Sequence, residues 1–206
     1  MSRPLLISDC DEVLLHMVVP FAEWLDEAHH IHFDLDSGNF VDALRHKATD
    51  AIIPGPEIWP LLQGFFETEM HRQPLIPGAA EALEALSLHA DVVVLTNLTD
   101  GFRDTRAAQL QAFGINVPVY TNQGDKGAAL ARIVAEYQPS VTVFVDDLAH
   151  QIISVAKDVP DVFRLHMVGE PRVAINAKTP KAAHARIDDW HSARGWIMDR
   201  FEGIPL

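Results

Sequence analysis

Five short apolar runs punctuate the chain, and most of them stop at a polar step. Leu5, Leu6 and Ile7 stop at Ser8 and Asp9; Val92, Val93, Val94 and Leu95 stop at Thr96 and Asn97. Val141, Thr142, Val143, Phe144 and Val145 stop at Asp146 and Asp147, and weaker runs lie at 117–120 and 162–165. Runs of this length predict buried strands ending at a polar edge. Helical patterns stand between them, over 79–88 after Pro77-Gly78, over 103–113 before Gly114, over 127–137 and over 148–157. Strands alternating with helices predict an α/β fold, a doubly wound, parallel, five-stranded Rossmann-like sheet covered on both faces. The expected strand order is 5-4-1-2-3, with the first strand central.

One stretch breaks the alternation. From about residue 16 to 73 the pattern is helical, with no convincing strand. Phe21, Leu25 and Ala28 recur at helical spacing, then Val41, Leu44 and Ala48, then Leu61, Leu62, Phe65, Phe66 and Met70. Pro54-Gly55-Pro56 punctuates the middle. The expected organisation is a core of residues 1–15 and 76–206 with a helical cap, 16–75, inserted after the first strand. The tail, 179–201, carries one more helix-like stretch with Ile187, Trp190 and Ile197, to which no chemistry is assigned.

Composition narrows the function. Sixteen Lys and Arg stand against twenty-nine Asp and Glu in 206 residues, a formal net charge of −13. A field of that sign disfavours nucleic acid and anionic membranes as partners. It also opposes a phosphorylated substrate, which then needs a local cation. The single cysteine, Cys10, allows no intrachain disulfide. No apolar run is long enough to span a bilayer, and no signal-peptide core precedes the first strand, so cytoplasm is the expected compartment.

In a parallel sheet the carboxyl ends of all strands share one edge, and ligands bind where the strand order reverses. That edge should gather Asp9-Cys10-Asp11, Thr96-Asn97, Lys126 and Asp146-Asp147. Four carboxylates packed together repel one another, and a hard dication relieves the repulsion. Oxygen-only ligands suit Mg²⁺, which also takes a phosphate oxygen. One carboxylate can then attack phosphorus, and a second can move the proton of the leaving oxygen and of water. A hydroxyl, an amide and a lysine can hold the transferring oxygens.

At these residues the sequence resembles the haloacid dehalogenase-like hydrolase superfamily. Leu-Ile-Ser-Asp-Cys-Asp-Glu-Val-Leu (6–14) is similar to its first motif and Val-Val-Leu-Thr-Asn (93–97) to its second. Lys126 opens a helix as the third-motif lysine does, and Val-Phe-Val-Asp-Asp (143–147) resembles the acidic fourth motif. Order and spacing agree from residue 5 to about 155. The resemblance implies Asp9 as nucleophile and metal ligand, and Asp11 as general acid/base offering its backbone carbonyl to the metal. It implies Thr96 and Asn97 at the phosphoryl group, Lys126 neutralising phosphate and nucleophile, and Asp146 and Asp147 as metal ligands, Asp147 the better placed. Phosphatases and phosphomutases keep an acid at the position of Asp11, whereas dehalogenases lack one. Gln151 and Ile152 stand where many members carry a further acid, which makes the fourth motif the compact double-aspartate type. Two departures stand out. Glu12 occupies a position where Gly is frequent, and Lys126 sits in Asp-Lys-Gly where Lys-Pro-x-Pro is common among members with this cap type.

The expected activity is an Mg²⁺-dependent phosphatase acting on a small phosphorylated metabolite through an aspartyl-phosphate. A phosphomutase would use the same residues, and a non-catalytic phosphate-binding protein is the third reading. A phospho-accepting receiver domain has the adjacent acidic pair after its first strand, whereas here that pair follows the fourth. Arg45, His46 and Lys47 form the compact cationic group of the cap. Arg45 and Lys47 are the candidates for meeting the non-reacting part of the substrate. On the predicted helix such a run is more often a solvated face. His29, His30 and His32 do not share a helical face and are not expected to hold zinc. Trp59, Phe65 and Phe66 are expected in the cap core.

Overall fold

The computed structural model describes residues 2–36 and 42–205. Its centre is a parallel sheet of β1 (Leu5–Ser8), β4 (Asp91–Thr96), β5 (Val119–Thr121), β6 (Thr142–Asp146), β7 (Phe163–His166) and β8 (Ala185–Arg186). The order is β5-β4-β1-β6-β7-β8, which is the expected 5-4-1-2-3 arrangement with one strand added at the β7 edge. That sixth strand is two residues long and carries no apolar run, so no periodicity announces it.

Alternate residues of the central strands enter opposite layers. Leu6, Val92, Val94, Val143 and Val145 pack towards α3 (Ala79–Ser87) and α8 (Trp190–Phe201). Leu5, Ile7, Val93, Leu95 and Phe144 pack towards α5 (Gly127–Tyr137) and α6 (Ala149–Asp158). α4 (Arg103–Ala112) covers the first layer through Leu110. A short helix, α7 (Pro171–Ala174), follows β7. Strands buried on both faces read as unbroken apolar runs, which is why these were visible in the sequence.

Between β1 and α3 lie α1 (Val18–His29), β2 (Ile31–Phe33), β3 (Leu44–His46) and α2 (Gly55–Thr68). The segment has its own apolar cluster, with Phe21, Leu25, Ile31, Phe33, Leu44 and Phe65 buried. β2 and β3 pair antiparallel, so the all-helical expectation for the segment is corrected. Val41, read at helical spacing with Leu44 and Ala48, lies outside the described residues. Leu44, Arg45 and His46 belong to β3 instead. Ile31 and Phe33 point inward while His32 is exposed, a period of two too short to stand out. α2 starts at Gly55, within the Pro54-Gly55-Pro56 punctuation, because Pro56 sits in the first turn, where no backbone donor is needed. Trp59 is exposed, unlike Phe65, and is not part of this core.

Two short stretches join the segment to the sheet and lie side by side. His16 N donates to Pro74 O at 2.9 Å, and Ile76 N donates to Leu14 O at 2.8 Å. Both crossings therefore sit beside the loop that follows β1.

Candidate active site

β1 ends at Ser8, and the chain turns sharply over Asp9, Cys10, Asp11 and Glu12. The amides of Leu14 and Leu15 both point at Cys10 O, at 2.8 and 2.9 Å, and Glu12 adopts a left-handed backbone with φ 59°. That conformation explains why glycine would be at ease there. The glutamate has a use of its own. Its Oε1 accepts from Met17 N and Val18 N, both at 2.7 Å, and so caps the first helix of the inserted segment. From the tail, Trp190 is fully buried and donates Nε1 to Val13 O at 2.7 Å. The segment without assigned chemistry thus braces the loop that carries Asp9.

β6 ends beside β1, and Asp9 N donates to Val145 O at 2.9 Å. The carboxylates of Asp9, Asp146 and Asp147 consequently offer oxygens all within 4.8 Å of one another. Lys126 Nζ bridges two of them, 2.7 Å from Asp9 Oδ1 and 2.7 Å from Asp146 Oδ2. It is aimed by α6. Gln151 Oε1 accepts from Lys126 N at 2.7 Å, Gln151 Nε2 donates to Gly124 O at 3.0 Å, and Ser154 Oγ accepts from Gly127 N at 3.0 Å. At the position where the resemblance led to a further acid, the amide of Gln151 anchors the lysine loop.

Burial and like charge dominate the electrostatics. Burial pushes Asp9 up to about 7, against the pull of Lys126 and with Asp146 adding to the rise. Asp147 is raised well above the ordinary carboxylate range by burial first and then by Asp146 and Asp9. Lys126 is held above its ordinary value because Asp146 and Asp9 outweigh a burial that works the other way. Among the buried side-chain oxygens without protein partners in the described residues are Asp147 Oδ1 and Thr96 Oγ1, both at strand ends. Buried polar atoms are normally satisfied. A divalent cation and a phosphoryl oxygen are the partners whose chemistry fits them. Asp9, Asp11, Asp146 and Asp147 face Lys126 and Arg106, leaving two formal negative charges, the amount a dication cancels.

Of the residues read from the sequence, Asp9, Lys126, Asp146 and Asp147 converge directly. Thr96 is fully buried at the end of β4, next to β1 in the sheet. Asn97 is exposed and holds the neighbouring loop, donating Nδ2 to Gly124 O at 2.9 Å and accepting from Asn122 Nδ2 at 3.0 Å. Arg45 donates to Asp50 O at 2.9 Å and Lys47 pairs with Asp26. To meet a substrate anion, either would have to exchange a partner within its own segment.

Asp11 has neighbours that no motif pointed to. Arg106 Nη2 lies 2.9 and 3.1 Å from its two carboxylate oxygens, and Gln73 Nε2 lies 2.7 Å from Oδ1. Arg106 is fully buried, with Phe66 over its guanidinium at 5.7 Å and Cys10 Sγ 3.4 Å from Nη1. The buried Cys10 thiol is pushed far up, by burial first. On the other flank, His166 Nε2 donates to Asp147 O at 2.7 Å, fixing the backbone of the acidic pair. A signal for Arg106 existed: it shares the apolar stripe of its helix with Leu110, four residues on.

No protein-family model and no curated protein matches the chain. Solved structures do match in fold. A haloacid dehalogenase-like hydrolase from Streptococcus pneumoniae aligns with TM-score 0.66 at 12% identity, covering 95% of this chain and 98% of that one. A candidate phosphoglycolate phosphatase from Haemophilus somnus aligns with TM-score 0.63 at 16% identity over 94% and 97%. A candidate beta-phosphoglucomutase from Thermotoga maritima aligns with TM-score 0.62 at 14% identity over 95% and 99%. Over nearly its whole length, the chain has the fold of the haloacid dehalogenase-like hydrolases.

Proposed function

We propose that the chain is an Mg²⁺-dependent phosphatase that cleaves a small phosphorylated metabolite through a phosphoenzyme on Asp9. The observation that carries this reading is the convergence of Asp9, Asp146 and Asp147, two of them bridged by Lys126, at the carboxyl edge of the central strands, where the orphaned Thr96 hydroxyl also ends its strand. Asp9, Asp146 and Asp147 would hold the ion, with the Asp11 carbonyl beside them. When bound, the ion would neutralise carboxylate repulsion and draw negative charge from the phosphoryl oxygens.

The chain's own groups supply the rest. A carboxylate oxygen of Asp9 attacks phosphorus, and the bond from phosphorus to the ester oxygen breaks. Asp11 gives that oxygen a proton. Lys126 and Thr96 hold the equatorial oxygens as charge moves across them. Asp11 then takes a proton from the water that attacks the phosphoenzyme, releasing phosphate and free Asp9. The inserted segment, 16–75, acts as a cap that restricts the site to small substrates and excludes bulk water.

The same residues would serve a phosphomutase, and one fold neighbour is described as a candidate for that activity. Release of inorganic phosphate without an added sugar bisphosphate favours the phosphatase. The test is a panel of phosphorylated metabolites scored by phosphate release. Turnover should need Mg²⁺, disappear in excess chelator, and drop by more than roughly 10⁴-fold in Asp9→Asn with the fold retained. Full turnover in chelator, or a wild-type rate in the variant, would overturn the proposal.

A further inference from the structure

The geometry points to Arg106 and Gln73 as positioning residues that leave Asp11 Oδ2 as its proton-exchanging atom. This rests on the phosphatase reading above. A carboxylate offers about two acceptor sites on each oxygen. Oδ1 of Asp11 already receives two donors, Gln73 Nε2 at 2.7 Å and Arg106 Nη2 at 2.9 Å. Oδ2 receives only Arg106 Nη2, at 3.1 Å, and keeps a lone pair free. The Asp11 side chain is 17% exposed while that of Arg106 is 0% exposed, so the carboxylate reaches the opening and the guanidinium stands behind it.

The two donors come from different parts of the molecule. Arg106 is on α4 of the sheet-bearing core. Gln73 is buried at the crossing back from the inserted segment, next to the Pro74 carbonyl that receives His16 N. Phe66 of α2 lies over Arg106, and Gln109, one turn on from it, donates to Met70 O at the same crossing. The orientation of Asp11 is therefore set jointly by the core and by the root of the cap. A carboxylate held by one wall alone could rotate about its side-chain torsions. Two walls fix the plane in which Oδ2 meets the leaving oxygen and, later, the incoming water.

This arrangement makes a kinetic distinction that a merely structural ion pair would not. Positioning Asp11 matters most for esters whose leaving oxygen needs a proton. It matters less for p-nitrophenyl phosphate, whose leaving group departs as a stable anion. The experiment compares an alkyl phosphate with p-nitrophenyl phosphate in wild type, Arg106→Met, Gln73→Leu, Asp11→Asn and the Arg106→Met/Asp11→Asn double variant. Arg106→Met should lower kcat on the alkyl ester by on the order of 10²-fold with KM little changed, and lower it much less on p-nitrophenyl phosphate. The double variant should be no slower than Asp11→Asn, since both changes remove one function. Gln73→Leu removes no buried charge, so it keeps the test decisive if Arg106→Met fails to fold. It should show the same substrate-dependent loss, smaller in size. Equal losses on both esters, or losses that multiply in the double variant, would overturn the inference and leave the phosphatase reading standing. A wild-type chain inactive on both esters with Mg²⁺ would overturn both.

Discussion

At the scale of single residues, Glu12 shows how a site's surroundings are tuned away from its chemistry. Its carboxyl is buried, and one oxygen receives two helix amides while the other, Oε2, has no partner. Burial pushes it from 4.5 up to about 7, against the amides of Val18 and Met17. The unfolded chain would lose this proton near 4.5, whereas the folded chain keeps it to about 7. Its contribution to stability is thus full below 4.5 and is lost as the pH rises through 7, a difference of roughly 3 kcal/mol. Glu12→Gln keeps the oxygen that caps α1 and cannot ionise. Urea unfolding in chelator should therefore show wild type losing about 3 kcal/mol relative to the variant between about pH 4.5 and 8. Identical pH slopes would show that Glu12 ionises freely in the fold. The sequence marked Glu12 as a departure, but the amides it caps lie five and six residues ahead, across a turn. Arg106 and Gln73 were less legible still. They meet Asp11 from 95 and 62 residues away, and only folding creates that meeting.

Among the elements, the legible ones were those whose burial leaves a periodic trace. β1, β4 and β6 are buried along their length and read as apolar runs, and the polar residues that end them gather in the candidate site. β2, β3 and β8 have three, three and two residues, too few for a period to register. Helix packing near the site was equally hidden, and it governs where Lys126 sits. α5 begins at Gly127 with its first turn against α6. A Cβ there would come within 2.7 Å of Ser154 O and would also strike the Asp158 side chain. Backbone cannot yield as a flexible side chain does, so Gly127→Ala should push the two helices apart. The expected cost is about 1–3 kcal/mol. Because Gln151 and Ser154 hold the amides of Lys126 and Gly127, the same shift should move Lys126 away from Asp9 and Asp146. A lower melting temperature together with a lower kcat, measured well below that melt, is the expected pair of results. A lower melting temperature with unchanged kcat would show that Lys126 is positioned independently of the helix contact.

For the molecule as a whole, the net charge of −13 acts on every anion that approaches. Against it stand the cations of the site, but Lys126 is bound to Asp9 and Asp146, and Arg106 to Asp11. Each neutralises a neighbour instead of projecting charge outward. The long-range field should therefore dominate the encounter with a phosphate ester, and the local cations should act only after contact. At about 0.01 M ionic strength the field reaches roughly 30 Å, and at about 0.15 M only roughly 8 Å. Raising monovalent salt across that range at constant free Mg²⁺ should then raise kcat/KM for a dianionic ester several-fold, an order-of-magnitude expectation for repulsive steering. The gain should appear in kcat/KM, with kcat unchanged, because the long-range field acts on the encounter and the chemical step follows contact. The opposite outcome would be equally informative. A kcat/KM that falls with salt would require attraction at the entrance. Arg45 and Lys47, which now pair with Asp50 and Asp26, would have to release those partners to provide it. Replacing both with Ala should then abolish the salt dependence, whereas under repulsion by the whole molecule the same replacement should steepen it.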